Sequence, residues 1–503
     1  MDKPTKVIEA VVIGGGISGL VTLKSLRQKG INCILCESKE HHGGLWHFSP
    51  SNYGVMEFTH INVSKYNYAF SDFPFPAGAV DYPHHSQMAE YIDQYVDNNQ
   101  LYNHILYRTR VLHVSRYQDE EKDRKLWKLR CHSGASASEF DMYCRYLIIA
   151  TGHHAKPKVP EFPGQSNFTD KNTVVVGIGN SAVDVAVNCA ERKSKSGHGK
   201  VYLSTRSGAW VVPNYVFSVP TDLYASRFFL NWLPFPVKQF VFETILRLIH
   251  GSPQKWNLNP KMGALETQPT VSPTLIHHIQ RGNIEVVPNI REICENSVRF
   301  QDGSVAQDIE VVVNCTGYTI DLPFLSDEIK ELVLDTKTND VNLFKNVFSP
   351  EIGSELAFIG FVQPSSGGVL PISEIQAQWL AMVIKGGATL PSAIDMKESI
   401  ALERQACQSR FYKSSRHTIQ KDPLVYNDEI ASFIGAKPEL TKHAAIAHRL
   451  LLGSGGVAQW TLQGPFQNDQ AEYLVKQVPL PPFSVFMAAM LVLLLLFIFS
   501  TVF

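Results

Sequence analysis

Two stretches of this chain read as apolar strand, glycine-rich turn and amphipathic helix in immediate succession. They are VVIGGGISGL at residues 11–20 and VVVGIGNSAVDVA at residues 174–186. A turn of this kind belongs to a parallel α/β layer, where the backbone passes from strand to helix in a few residues. In the first copy, Gly14, Gly16 and Gly19 occupy the GxGxxG positions, and Gly15, Ile17 and Ser18 complete the turn. The first glycine permits the sharp bend, the second lets backbone approach a pyrophosphate, and the third lets helix pack on strand. The helix runs to Gly30, a residue suited to a C-terminal cap. The next strand, INCILCE, ends at Glu37, where the fold needs an acceptor for a ribose hydroxyl.

The second copy has Gly177 and Gly179, with Ala182 in the third position, where only packing is at stake. Asn180 and Ser181 begin the following helix, where caps belong, and Val183 and Asp184 continue its first turn. GIGNSA does not fit GxSxG, so Ser181 is not a nucleophile elbow. The next strand, KVYLSTRSG, ends in Thr205 and Arg206 instead of an acid. A guanidinium there suits a 2′-phosphate that a carboxylate would repel. Unlike ribose partners imply unlike dinucleotides: FAD at the acid-ended turn and NADPH at the arginine-ended one. A nicotinamide set against a flavin permits hydride transfer. RYLIIATGHHAKPKVP (145–160) and VVVNCTGY (311–318) are two more strands that end in glycine turns, as connections between two such domains do.

The expected fold is therefore α/β, with two doubly wound Rossmann-like dinucleotide-binding domains. The FAD domain is discontinuous, 1–165 and 295–440, and the NADPH domain, 170–295, is inserted into it. Residues 441–483 read as a connector to a tail at 484–503. That tail, SVFMAAMLVLLLLFIFSTVF, is 20 residues without a charge. This is the length of a membrane-crossing helix, with a buried helix of an oligomer as the alternative. The N-terminus has no long apolar segment, which leaves the body in the cytosol and tethered by its tail. The run 228–251 is rich in aromatics but interrupted by Asn231, Pro234, Pro236 and Lys238. It reads as core or substrate-channel helices, with membrane-surface contact as the alternative.

A net charge of −1 gives no signal for nucleic acid as a partner. Cys33 and Cys36 form a CxxC, but on a strand positions i and i+3 face opposite ways. They read as two packed thiols, ahead of a redox pair or a metal site. Histidines come in adjacent pairs, which converge poorly on one ion, so no metal is expected.

Beyond these patterns the chain resembles the flavin-containing monooxygenases. GGLW at Gly43–Trp46 is similar to the family's second flavin motif and adds Gly44, Leu45 and Trp46 to the cofactor set. NVSKYNYAFSDFPFP, Asn62 to Pro76, is similar to the segment that carries the family's active-site asparagine; Asn62 aligns with it and Ile61 precedes it. STRSGAWVVP (204–213), CTGYTIDLPFL (315–325), FIGFVQPSSGG (358–368, with Gln363) and EIQAQW (374–379) also look like family segments. So do residues 411–438 and the apolar tail. One signature, FxGxxxHSxxY, is absent: only QSNFTDKNT stands between Gly164 and Val174, a markedly shorter linker than the resemblance implies.

The resemblance implies that NADPH reduces FAD and that O2 adds at the flavin C4a carbon. The resulting hydroperoxide then gives one oxygen to a soft nucleophile, an amine nitrogen or a sulfide sulfur. Asn62 would position NADP+ and the oxygen adduct; an Asx turn is its structural alternative. The partners implied are a small nitrogen- or sulfur-containing substrate, O2 and a membrane, with a homo-oligomer left open. The location implied is the endoplasmic reticulum membrane, with the catalytic body facing the cytosol. Oxygen insertion beside a ketone is the alternative chemistry. Because the signature is missing, a non-catalytic, membrane-tethered FAD/NADP-binding protein is the other alternative.

Overall fold

Continuous apolar runs that alternate with helices form parallel strands buried on both faces. In the computed structural model, which describes residues 6–50, 54–154, 156–157, 171–196, 199–412 and 418–482, they do so twice. The chain divides into two bodies. The first draws its described residues from Met1–Ala155, Asp222–Phe229 and Thr319–Phe503, the second from Lys156–Thr221 and Leu230–Tyr318.

In the first body, strand Val7–Ile13 lies between Cys33–Cys36 and Ser138–Ile149, parallel to both. Gly353–Phe358 adds a further parallel strand beside Ser138–Ile149. Phe348–Ser349 closes one edge antiparallel, and Ile105–Leu106 closes the other in parallel. A long antiparallel meander, Thr109–Asp119 and Arg124–Ser133, joins the sheet through Ser138–Ile149. Helix Ile17–Gln28 returns from the first strand, and Gly30 ends it at φ +67°, as a left-handed cap requires. Trp127, Leu147, Leu356, Phe358 and Phe361 lie in one continuous core with almost no exposure.

The second body has four parallel strands in the order Ile284–Val287, Val201–Ser204, Thr173–Val176, Val311–Asn314. Sequence alone ends this body near residue 295. The structure carries it to Tyr318, because Val311–Asn314 pairs with Thr173–Val176.

Two further readings change. Residues 441–482 are more than a connector: Ile446, Leu450, Ala458, Leu462, Ala471 and Val475 make a small core of their own. The run 228–251 is core only in part, at Phe228 and Leu246. Only Leu246 of helix Phe235–His250 is buried, and Trp232, Phe240 and Leu248 are 68%, 69% and 81% exposed. No helix among the described residues is long and apolar enough to cross a membrane. The apolar stretch 484–503 lies outside the described residues, as do residues 158–170 within the shortened linker.

Candidate dinucleotide sites

Strand register sets the first site. Ile13 is paired with both Cys36 and Ile149, and Ile149 with Phe358. Gly14, Glu37, Ala150 and Ile359 therefore leave the sheet at one level, the carboxyl edge where such sheets bind ligands. Hydrogen bonds from Gly14 N–H to Cys36 O, Ala150 N–H to Ile13 O and Ile359 N–H to Ile149 O, each 2.9 Å, fix that edge.

The glycines of the turn do different work. Gly14 has φ +106°, and a Cβ there would stand 2.7 Å from Ala150 O. At Gly19 a Cβ would meet Gly14 O at 1.8 Å, so the helix can only seat on the turn without a side chain. At Gly16 a Cβ would meet only Gly44 Cα, at 3.7 Å. Gly16 also begins helix Ile17–Gln28 with no side chain capping it, so the helix offers its first N–H groups uncapped. An open backbone face and free N–H donors at a helix start fit a pyrophosphate.

Glu37 is buried, and both its oxygens are engaged. Gly15 N–H donates to Oε2 at 2.6 Å and Lys39 N–H to Oε1 at 2.7 Å. The carboxylate is thus held against the turn. Ser18, also buried, shares a hydrogen bond with Ser373 Oγ at 2.9 Å, below the turn at Gly360. Leu45 is exposed and Ile17 half-buried at the rim.

Of the other sequence-predicted residues, the GGLW segment meets this edge directly. Gly43 N–H donates to Gly15 O at 2.9 Å, which lays GGLW against the glycine turn. Trp46 meets Tyr68 edge-on with ring centroids 5.6 Å apart. Burial pushes the Tyr68 phenol up to about 12. Asn62 is exposed between buried Ile61 and Val63. Gln363 N–H donates to Ile419 O at 2.9 Å. Three residues carry weight that the sequence did not signal. His153 donates from Nδ1 to Gly360 O at 3.2 Å, and burial holds its imidazole down to about 3, so it is neutral there. Gln376 accepts Gly360 N–H at 2.9 Å and donates to Tyr426 OH at 2.7 Å. Asp222 is the third, described below. The Cys33 and Cys36 thiols are buried and pushed upward, Cys33 by burial and Cys36 by its contact with Cys131 and by burial, which makes both inert.

The second site repeats the plan. Val176 is paired with Ser204 and with Asn314, so Gly177, Thr205 and Cys315 leave the sheet together. Gly177 N–H donates to Ser204 O at 2.9 Å. A Cβ at Gly177, φ +128°, would stand 2.4 Å from Cys315 O, whereas one at Gly179 would meet nothing within 4 Å. The open face at Gly179 again fits a phosphate. Ala182 and Val183 are buried and Ser181 is exposed. Asn180 differs from its expected capping role: its Oδ1 accepts Val271 N–H at 2.8 Å, because strand Thr270–Val271 passes close by. Arg206 is exposed just past the strand end. Burial raises the Asp184 carboxyl to about 7.

A chain with two glycine-turn edges, one ended by a carboxylate and the other by a guanidinium, has the architecture of a two-dinucleotide oxidoreductase. Comparison with known proteins narrows this. The model of the flavin-binding monooxygenase-like family matches residues 6–476. Flavin-containing monooxygenase 5 of Oryctolagus cuniculus is 33% identical over 505 residues, covering 93% of this chain and 91% of its own. Among solved structures, S-allyl-L-cysteine S-oxygenase from Allium sativum superposes with a TM-score of 0.61 at 19% identity, covering 88% of this chain and 93% of its own. Cyclohexanone monooxygenase from Rhodococcus sp. Phi1 bound to NADP+ does so with 0.58 at 15%, covering 88% and 98%. The chain belongs to the flavin-binding monooxygenase family, whose members are FAD-dependent monooxygenases that use NADP(H).

Proposed function

We propose that this protein is an NADPH-dependent monooxygenase that transfers one oxygen atom from O2 to soft nucleophiles, amine nitrogen or sulfide sulfur. The observation that carries the reading is the difference between the two turns on one family member: Glu37 bound beside Gly15, Arg206 free of the strand beside Gly177. When bound, FAD supplies the redox chemistry, accepting hydride from NADPH and activating O2. Gly14, Gly15, Gly16, Ile17, Ser18 and Gly19 would cradle the FAD pyrophosphate and Glu37 its ribose. Gly44, Leu45, Trp46, Ile61 and Gln363 would line the flavin. Gly177, Gly179, Asn180, Ser181, Ala182, Val183 and Asp184 would form the NADPH turn, and Arg206 would take the 2′-phosphate. Asn62 would orient the nicotinamide amide and the reacting oxygen by hydrogen bonds. No acid–base dyad is needed, since the protein's task is placement and exclusion of water. The fold shared with cyclohexanone monooxygenase keeps ketone oxygenation as the second reading. The body would be tethered to the endoplasmic reticulum membrane by residues 484–503 and face the cytosol.

The test is anaerobic mixing of the purified yellow protein with NADPH. Bleaching of the flavin band, and its return in air with one oxygen added to a thioether or amine, supports the reading. Flavin that stays oxidised under NADPH sinks it and leaves a non-catalytic binding protein. Conversion of ketones to esters or lactones, with no oxygen added to amines or thioethers, would move the assignment to the second reading.

A further inference from the structure

The loop that carries Asn62 is gripped by a carboxylate from far along the chain. Ser64 N–H donates to Asp222 Oδ1 at 3.1 Å and Ser64 Oγ to Oδ2 at 2.8 Å. Asn67 Nδ2 donates to the same Oδ2 at 2.8 Å and reaches Asp222 O at 3.4 Å. Both oxygens of one carboxylate are thereby spent on a turn of four residues, Ser64 to Asn67. Charge-assisted bonds of this kind are roughly twice as strong as neutral ones. Burial works against the Asp222 anion, and the Ser64 and Asn67 donors work for it.

The element that brings Asp222 here is itself fastened. Asp222–Phe229 belongs to the first body, although the chain on either side of it belongs to the second. Arg227 makes a buried two-pronged pair with Asp428, Nε to Oδ2 at 2.8 Å and Nη2 to Oδ1 at 2.6 Å, and donates from Nη1 to Leu450 O at 2.9 Å. Trp460 Nε1 adds a bond to Asp428 Oδ1 at 2.9 Å. Asp222 therefore stands on a rigid base. The rest of the loop is held by backbone bonds, Ile61 N–H to Pro83 O at 3.0 Å, Lys65 N–H to Asp81 O at 2.8 Å and Val457 N–H to Tyr66 O at 3.2 Å, and by the Lys65 ammonium, which donates to Ala79 O and stands 3.6 Å from Asp81 Oδ1. Ser64 is fully buried and Asn62, two residues before it, is exposed. The direction in which Asn62 projects is set where Ser64 is pinned.

We propose that Asp222 is a positioning residue, which orients Asn62 through Ser64 and Asn67 and so limits the discharge of oxygen as peroxide. The proposal rests on the role given to Asn62 above. The wasteful reaction it restrains is NADPH + O2 + H+ → NADP+ + H2O2, two electrons passing from the nicotinamide to oxygen with no oxygen delivered to a substrate.

The experiment uses the full chain loaded with FAD. Its variants are Asp222→Ala, Asp222→Asn, Asn67→Asp, the double variant Asp222→Asn with Asn67→Asp, and Asn62→Ala. Two quantities are read: amide hydrogen exchange in peptides spanning residues 61–68 without NADPH, and peroxide released per NADPH consumed in air. Asp222→Ala should speed exchange of the Ser64 amide about tenfold or more. It should also raise peroxide release severalfold at unchanged flavin content. Asp222→Asn keeps one oxygen for the Ser64 N–H but sets an amide donor against Asn67 Nδ2, and should raise both readouts less than Asp222→Ala. The double variant restores an acceptor opposite a donor and should recover both readouts. If Asp222→Ala does not fold, the Asn67→Asp variant and its rescue carry the test alone. Unchanged exchange overturns the grip. Faster exchange with unchanged peroxide release makes Asp222 a structural residue and overturns the positioning role. Unchanged peroxide release in Asn62→Ala overturns the role of Asn62, and a parent protein that consumes no NADPH overturns the proposed function; either result takes this proposal with it.

Discussion

Glu37 holds the Gly15 N–H at 2.6 Å with one oxygen and the Lys39 N–H at 2.7 Å with the other. The acid at the end of the second strand thus closes onto the turn at the end of the first, and both belong to one edge. Glu37→Ala leaves two backbone donors without their carboxylate in a buried place, a loss of about 1–3 kcal/mol. It also removes the proposed acceptor for the FAD ribose. The apoprotein should unfold at lower denaturant, and FAD should dissociate about tenfold or more faster in a fluorescence dilution assay. Glu37→Gln should recover part of the stability and little of the flavin retention. Equal flavin retention in both variants and the parent would refute the ribose role.

What the sequence revealed and what it hid divide along contact range. Gly14 to Glu37 is a local unit of strand, turn, helix and strand, and the pattern of residues within it determines its geometry; so too Gly177 to Arg206. The end of the inserted body was less legible, because strand Val311–Asn314 reads as a strand but is assigned to that body only by the partner it finds, more than a hundred residues earlier. The roles of Asp222, Gln376 and His153 gave no signal, since they act through hydrogen bonds to residues distant in the chain that no spacing marks. The helix Phe235–His250 misled for a different reason: its aromatic content reads as core, while its exposed Phe240 and Leu248 lie on a face nothing in the described residues covers.

Gly44 and Gly30 both sit at positive φ, +59° and +67°, but in different surroundings. A Cβ on Gly44 would stand 2.9 Å from Gly16 Cα, whereas one on Gly30 would meet nothing within 4 Å. Gly30→Ala should cost only the left-handed strain, about 1 kcal/mol, and retain FAD. Gly44→Ala adds a backbone clash that pushes GGLW off the glycine turn. It should cost more in urea unfolding and lower the flavin-to-protein absorbance ratio of the purified enzyme. The same ratio in both variants would mean that this approach of two backbones is not needed for the cofactor.

Arg206 stands exposed past the strand end Val201–Ser204, beside the turn at Gly177. An exposed guanidinium contributes little to folding, so Arg206→Ala should leave the melting temperature nearly unchanged. Loss of a guanidinium–phosphate pair should raise KM for NADPH about tenfold or more. KM for NADH, which has no 2′-phosphate, should move little. Equal changes for the two coenzymes would remove Arg206 from the 2′-phosphate site.

Asp184 gives the second body a pH dependence whose sign is fixed by its burial. Its carboxyl is raised from 3.8 to about 7, so between those values the folded protein holds a proton that the unfolded chain has lost. Stability then falls as pH rises through that window, and the full cost is present above about pH 7. Asp184→Asn has no carboxyl to ionise. Without NADPH, it should raise the melting temperature of the FAD-loaded protein more at pH 8 than at pH 5. A benefit that is constant across this range, or larger at pH 5, would mean that the carboxyl ionises in the folded protein as it does in water. With NADPH bound, Asp184 lies in the first turn of the helix after Gly179, and the coenzyme's negative charge should hold its carboxyl higher still. The gain in melting temperature from NADPH should accordingly shrink from pH 6 to pH 8.5 in the parent, and shrink less in Asp184→Asn.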